Sequence, residues 1–350
     1  MTNSNKKNFW KNLEKPFFCL APMSDVTDIA FRSILMKYSK DRENKNSVVF
    51  WTEFVAADGL CNKLARKKLA HILKFKESER PIVAQVFGAN PDNMKYACQY
   101  IASLGFDGID INMGCPDKSV VSQGAGSGLI KNPLLARKII QAAHAGIDSA
   151  GLHIPVSIKT RIGFNKEEID IWIGELLKED ISALTIHLRT TKELSLAPAH
   201  WDLMKRIIEL RNKISPETLI IGNGDVKDLK DGEEKALKYG CDGVMIGRGV
   251  FGNPWFFKSQ RAPLTHLSKV PFGNEESNVK EKLKILVEHT QIFEKELSGP
   301  KHKSFAVMKK HFKAYVNGFE DAKELRVKLM ETENAKEVEK IVNDFLTRLH

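Results

Sequence analysis

Short runs of β-branched and aromatic residues recur along the chain, separated by longer segments in which apolar residues return every three or four positions. The first pattern suits buried strands and the second suits amphipathic helices packed against them. Strands are expected over Phe17 to Ala21, Val48 to Glu53, Ile82 to Phe87, Gly108 to Asn112, Pro155 to Thr160, Ala183 to His187, Leu219 to Gly222 and Gly243 to Ile246. Eight parallel strands alternating with helices predict an α/β chain folded as a (β/α)8 TIM barrel. An open doubly wound sheet usually has fewer strands and an early glycine-rich fingerprint, which this chain lacks.

Helix-start chemistry falls where that barrel needs it. Asn90-Pro91, Asn132-Pro133 and Asn253-Pro254 each place a capping side chain before a proline suited to the first helical position. Ser24 or Asp25 is the expected cap of the first helix, in which Ala30 and Phe31 pair with Ile34 and Leu35, and Gly240 is expected to end the seventh. From Ser259 to Lys280 the pattern turns irregular. Beyond it, Leu283, Leu286 and Val287, then Val338, Ile341, Val342 and Phe345, return at helical spacing. The expected division is a polar N-terminal extension over 1–16, the barrel over 17–258, a linker over 259–280 and a small C-terminal helical bundle over 281–350.

Charge and cysteine usage narrow the classes. In 350 residues no apolar run approaches the length of a membrane span, so a cytoplasmic protein without membrane contact is expected. The five cysteines lie far apart with no C-x-x-C pair, which argues against zinc, iron-sulfur or disulfide frameworks, and no metal is expected. Net charge is +10, favouring a polyanionic partner. Two clusters concentrate it: Lys63, Arg66, Lys67, Lys68, Lys74 and Lys76, and the acid-free stretch with Lys301, Lys303, Lys309, Lys310 and Lys313. A solvated helix face remains the alternative for either cluster.

In this fold the active site gathers at the carboxyl ends of the strands. There the sequence places Pro22 and Met23 after strand 1, Gln85 on strand 3, Asn112 and Cys115 at strand 4, Lys159 and Arg161 on strand 5, and His187 on strand 6. Strands 7 and 8 end in Gly222-Asn223-Gly224-Asp225 and Gly247-Arg248-Gly249, small residues that let backbone N–H groups approach a phosphate. Two tight turns without a ligand are the alternative. A phosphate site with Lys159 at the mouth suits FMN, the lysine stabilising charge at N1 and O2 of the reduced ring and Gln85 bonding its edge. Alternatively Lys159 forms an ion pair with Asp110 or Glu53. Cys115 stands before Pro116 and a glycine-rich stretch, Gly124 to Gly128, expected to be mobile over a substrate; its thiol suits a general acid. Cys19, Cys98 and Cys241 read as small core residues.

Taken in order, these residues resemble the tRNA-dihydrouridine synthases. The matching motifs are Ala21-Pro22-Met23, Thr52-Glu53-Phe54, Gln85-Val86-Phe87-Gly88, Asp110 to Pro116, Gly124 to Pro133, Lys159-Thr160-Arg161, His187-Leu188-Arg189-Thr190, Gly222 to Asp225, Gly247-Arg248-Gly249 and Phe251 to Trp255. Met308, His311, Tyr315, Gly318 and Phe319 resemble the family's C-terminal helical domain. The resemblance implies reduction of the C5–C6 double bond of a tRNA uridine, with FMN as hydride carrier to C6 and NADPH, or else NADH, as reductant. Cys115 matches the cysteine that protonates C5, and Asn112 and Arg161 match uracil contacts. Pro22, Met23, Gln85, Lys159, His187, Asn223, Gly224, Gly247 and Arg248 match FMN-holding positions. Lys309, Lys310 and Lys313 are expected to grip the tRNA backbone; no protein partner is inferred. One loop departs from the family: Leu194-Ser195-Leu196-Ala197-Pro198-Ala199-His200 replaces a tyrosine-and-glycine stretch, leaving its contacts open.

Two other readings share some of these features. An FMN barrel acting on a free pyrimidine or other small enone would use the tail for dimerisation and leave the basic stretch without a purpose. An RNA-binding protein without turnover would keep the barrel as a scaffold, against which intact Cys115 and Lys159 count.

Overall fold

The computed structural model describes residues 8–39, 48–258, 275–297 and 303–348. Two compact units divide the chain, one formed by residues 1–24 and 46–247, the other by 25–45 and 248–350. The first carries eight parallel strands closed into a barrel in sequence order: β1 (Phe17–Leu20), β2 (Val48–Ala56), β3 (Ile82–Phe87), β4 (Gly108–Met113), β5 (Val156–Arg161), β6 (Ala183–His187), β7 (Leu219–Asn223) and β8 (Gly243–Ile246). All eight expected strands are present, with ends shifted by up to three residues.

Period-two alternation sets the lumen. Gln85 pairs with Asp110, Asp110 with Ser157, Asn112 with Lys159, Arg161 with His187, and His187 with Asn223. These residues therefore share one face of the sheet, stacked in layers toward the carboxyl ends. Cys19, Trp51, Val83, Ala183, Leu219, Ile221 and Met245 join one buried cluster. Phe9 and Trp10, on the 3-10 turn Phe9–Asn12, pack into it; Trp10 lies 5.8 Å from the rings of both Phe17 and Trp51. The expected polar extension thus contributes part of the barrel core, while residues 1–7 lie outside the described residues.

The helices of this unit are α2 (Ala57–Cys61), α3 (Lys63–Leu69), α4 (Pro91–Ser103), α5 (Lys118–Val121), α6 (Pro133–Ser149), α7 (Ile169–Leu177), α8 (Met204–Ile214) and α9 (Leu229–Tyr239). Asn90 and Asn132 cap α4 and α6 as expected, and Gly240 ends α9 in the left-handed region at φ 78°. Where α6 crosses α4, a Cβ at Gly146 would lie 2.1 Å from the Lys95 carbonyl oxygen, so only glycine permits that approach.

The second unit contains α1 (Ile29–Ser39), α10 (Glu275–Leu297), α11 (Lys309–Tyr315), α12 (Ala322–Met330) and α13 (Ala335–Leu346) around one apolar core. The cap of α1 is Asp28, whose Oδ1 accepts from the N–H groups of Ala30 and Phe31, in place of the expected Ser24 or Asp25. Asn253-Pro254 starts no helix and forms turns instead. Of the expected linker 259–280, residues 259–274 lie outside the described residues, and 275–280 begin α10. Among the described residues no helix is long and apolar enough to cross a membrane.

Candidate active site

Lys159 is the pivot of the lumen. Its Nζ donates to Asn223 Oδ1 at 3.3 Å, and Asn223 Nδ2 donates to the Met245 carbonyl at 2.8 Å, tying β5, β7 and β8 together. Lys159 forms no ion pair among the described residues, so the alternative of a lumenal salt bridge with Asp110 or Glu53 is not what the barrel builds. Burial pushes its ammonium down to about 8, with the Arg161 charge acting the same way and Asp110 acting against it. A cation held in a low-dielectric mouth with an amide as its partner is prepared for an anionic or strongly accepting ligand.

Beside it runs a continuous hydrogen-bond chain. Ser157 Oγ donates to Asp110 Oδ1 at 2.7 Å and Gln85 Nε2 donates to Asp110 Oδ2 at 2.7 Å. Asn112 Nδ2 donates to Gln85 Oε1 at 3.0 Å, and Asn112 Oδ1 accepts from the backbone N–H groups of Gly114 and Cys115 at 3.1 and 2.9 Å. Asn112 thereby shapes the turn that presents Cys115. Burial pushes the Cys115 thiol above its usual value, so it carries its proton at neutral pH and suits an acid better than a nucleophile.

Behind Cys115 the glycine-rich stretch is packed, contrary to the expected mobile cover. Residues 125–130 are buried, the Ser127 N–H donates to the Cys115 carbonyl at 3.0 Å, and Gly126 sits at φ 56°, where a Cβ would meet that oxygen at 2.8 Å. The stretch is a buttress for the thiol. Cys19, Cys98 and Cys241 are buried, as their core reading required.

Arg161 spends its donors on three carbonyls. Nε reaches Gly114 at 2.8 Å, and Nη1 reaches Thr190 at 3.0 Å and Leu194 at 2.9 Å. It therefore clamps the Cys115 turn to the loop after β6 through Nε and Nη1. Nearby, Arg189 donates to His187 Nε2 at 3.0 Å, to the Ala197 carbonyl and to Asp225 Oδ2. Because an arginine only donates, His187 Nε2 must be the unprotonated nitrogen and the proton must sit on Nδ1. Motif reading included Arg189 and Asp225 without giving them roles; the donor-only chemistry of the guanidinium was the signal available.

Pro22, Met23, Gly224 and Gly247 belong to the same unit at the strand ends; a Cβ on Gly247 would touch Met23 Sδ and Ala21 Cβ at 3.7 Å. Arg248 opens the second unit in the turn Arg248–Val250. In that unit Lys309, Lys310 and Lys313 on α11 line a groove of about 460 Å³, with Lys323, Arg326, Val327 and Met330 of α12. The α12 cations were absent from the expected set because they lie in a separate, charge-balanced stretch. Lys303 is buried against Asp25 and Asp28 at 3.2 and 3.7 Å and is no surface cation, while Lys301 lies outside the described residues. In the barrel unit, α3 carries Lys63, Arg66, Lys67 and Lys68 with no buried residue, and Arg66 lies over the rings of Tyr96 and Tyr100.

The family model described as Dihydrouridine synthase (Dus) matches residues 19–350. The chain belongs to the dihydrouridine synthase family. It is accordingly an oxidoreductase. It is 41% identical over 341 residues to a Staphylococcus aureus (strain COL) protein named "Probable tRNA-dihydrouridine synthase", covering 97% of this chain and 96% of the relative. A Bacillus subtilis (strain 168) protein named "Probable tRNA-dihydrouridine synthase 2" is 40% identical over 340 residues, covering 97% of each. A Staphylococcus epidermidis (strain ATCC 12228 / FDA PCI 1200) relative of the first name is 40% identical over 98% of each chain.

Proposed function

We propose that this dihydrouridine synthase reduces the C5–C6 double bond of a tRNA uridine, with FMN as its flavin and NADPH as the reductant, in the cytoplasm. The observation that carries the flavin reading is Lys159, a half-buried cation without an ion pair among the described residues, at the carboxyl end of the barrel. FMN fits the residues present: Lys159 would face the electron-rich N1 and O2 edge, and the Gln85 amide keeps one N–H outside the Asp110 bond for the ring. Pro22, Met23, His187, Asn223, Gly224, Gly247 and Arg248 would complete the cradle. When bound, FMN supplies the hydride delivered to C6 of the base.

The chain's own part is to place and protonate the base. Asn112 keeps one N–H outside the Gln85 bond, and Arg161 keeps Nη2, so both offer donors to the carbonyls of a uracil. Cys115 holds a proton on Sγ and gives it to C5 as negative charge develops there, the acid role its raised thiol favours. Lys309, Lys310 and Lys313 would hold phosphates while the base leaves its stack.

The test is incubation of the wild-type protein and Cys115→Ala with NADPH and unmodified tRNA transcripts, followed by mass-spectrometric mapping of dihydrouridine. We expect dihydrouridine at a defined position, with a turnover loss of about 10²- to 10⁴-fold in the variant. A yellow protein that oxidises NADPH yet leaves folded tRNAs unmodified would transfer the activity to a small-molecule substrate.

A further inference from the structure

Asp110 is fully buried, carries a carboxyl group, and has no role in the chemistry above. It closes a hydrogen-bond chain in which every amide has one orientation. The backbone N–H groups of Gly114 and Cys115 can only donate, so the atom of Asn112 facing them must be Oδ1 and the atom facing Gln85 must be Nδ2. Gln85 must answer with Oε1, which turns Nε2 toward Asp110. Only an acceptor can stand at that end, and the second carboxyl oxygen is fixed in turn by Ser157.

We propose that Asp110 is a positioning residue: as the buried acceptor at one end of the chain Asp110–Gln85–Asn112 it locks the direction that the Gly114 and Cys115 N–H groups require at the other, and so steadies the Cys115 turn and the N–H groups offered to flavin and base. A reversed Gln85 amide would no longer present a carbonyl to Asn112 Nδ2, would flip Asn112, and would set two N–H donors against the backbone N–H groups of residues 114 and 115. That arrangement leaves part-buried donors facing one another, which proteins avoid at the cost of reorganising the turn. The polar end of the chain is therefore remote from the reacting atoms yet controls which groups reach them. Burial pushes the Asp110 carboxyl up to about 6, a destabilisation that the bonds from Gln85 and Ser157 partly offset.

This inference deepens the reading of Cys115 as the acid and is tested by a readout that does not need turnover. The rate of Cys115 alkylation by iodoacetamide would be measured on the full-length, as-purified protein, with Cys61 alkylation followed as an internal reference by peptide mass spectrometry. Asp110→Asn keeps an acceptor for Gln85 Nε2 and can turn its own NH2 to Ser157 Oγ, so its Cys115 rate should stay within about threefold of wild type. Asp110→Leu and Gln85→Met break the chain, and each should change the rate by about tenfold and lower kcat on tRNA more than it raises KM. Combining them should add no more than about twofold, since both cut one chain. Additive effects, an unchanged rate in Gln85→Met, or a loss in Asp110→Asn equal to that in Gln85→Met would each overturn the proposal. If Asp110→Leu does not fold, the last two comparisons decide alone. An altered alkylation pattern without any tRNA activity in wild type would uphold Asp110 and refute the tRNA reading instead.

Discussion

Acidification should destabilise the helical unit through two histidines. His289 on α10 and His311 on α11 are fully buried, their rings lie 4.7 Å apart edge to face, and none of their four ring nitrogens has a hydrogen-bond partner among the described residues. Phe31, Phe251 and Tyr315 surround the pair, and the nearby charges are Lys303 and Lys310, both cationic. Burial pushes His289 down to about 3, and burial together with these neighbours pushes His311 well below its usual value. Both rings are therefore neutral in the folded state, while the unfolded chain begins to protonate them near pH 6.5.

The sign follows from proton uptake. Below pH 6.5 the unfolded state binds more protons than the folded one, so stability is full above that pH and falls as pH drops toward the folded values. Each histidine costs about 1.4 kcal/mol per pH unit once the fall is under way, so the pair removes about 4 kcal/mol between pH 7.5 and 5. That is a large share of a domain's usual 5–15 kcal/mol, and the interval lies above the range in which ordinary carboxylates titrate. Amide hydrogen exchange of peptides from α10 and α11, measured at several pH values and corrected for intrinsic rates, would read this opening energy. His289→Leu with His311→Leu should flatten the dependence. An equal opening energy at pH 7.5 and 5 in the wild type, or an equal slope in the double variant, would refute the reasoning.

Other expectations concern the barrel and its charge. Lys159→Met should weaken flavin binding at pH 7; in the wild type, flavin affinity read by fluorescence titration should fall as pH rises through about 8, where the ammonium loses its proton. Gly146→Ala should destabilise the barrel by about 3 kcal/mol or more in urea titration, because the clash is with the Lys95 backbone and not with a side chain that can turn away. Reversing Lys309, Lys310 and Lys313 to glutamate should lower tRNA affinity and reduce the slope of log K against log salt by up to about 0.7–0.9 for each phosphate no longer neutralised; an unchanged slope would remove these lysines from the interface.

The barrel could be read from the chain because its strands are buried on both faces and are short, apolar and β-branched, a pattern with few other uses. The candidate site stood out for a related reason: polar residues such as Gln85, Asn112, Lys159 and His187 lie on largely buried strands, and a fold that buries them must find them partners. What failed to appear in the sequence depended on distant packing. Asp28 outcompetes Ser24 and Asp25 as a cap because the chain enters α1 there. Lys303 looks like its neighbours in a basic run, yet it folds inward onto Asp25 and Asp28. The glycines from 124 to 128 suggest looseness, whereas at Gly126 glycine serves to admit the Cys115 carbonyl.

The same distinction bears on the loop after β6, where the sequence departs from its family. Three of its contacts to the candidate site run through backbone: the Leu194 carbonyl accepts from Arg161, the Ala197 carbonyl from Arg189, and the Ala199 N–H donates to Asp225. Leu196, at the tip, is 88% exposed and Leu194 adopts φ 54°, a conformation that glycine or asparagine would hold at lower cost. Side-chain identity at Leu194 and Leu196 is therefore weakly constrained by these contacts, provided that the carbonyls stay in place, whereas the His200 ring is tied to Glu193 Oε1 at 2.7 Å. Leu196→Ser should leave dihydrouridine formation within about twofold of wild type, as so exposed a side chain implies. Replacing Arg161 with lysine should cost far more, because one ammonium cannot span the Gly114, Thr190 and Leu194 carbonyls that the planar guanidinium joins. A large loss at Leu196 with folding intact would mean instead that the exposed leucine touches the RNA, and that the departure is an adaptation to its substrate.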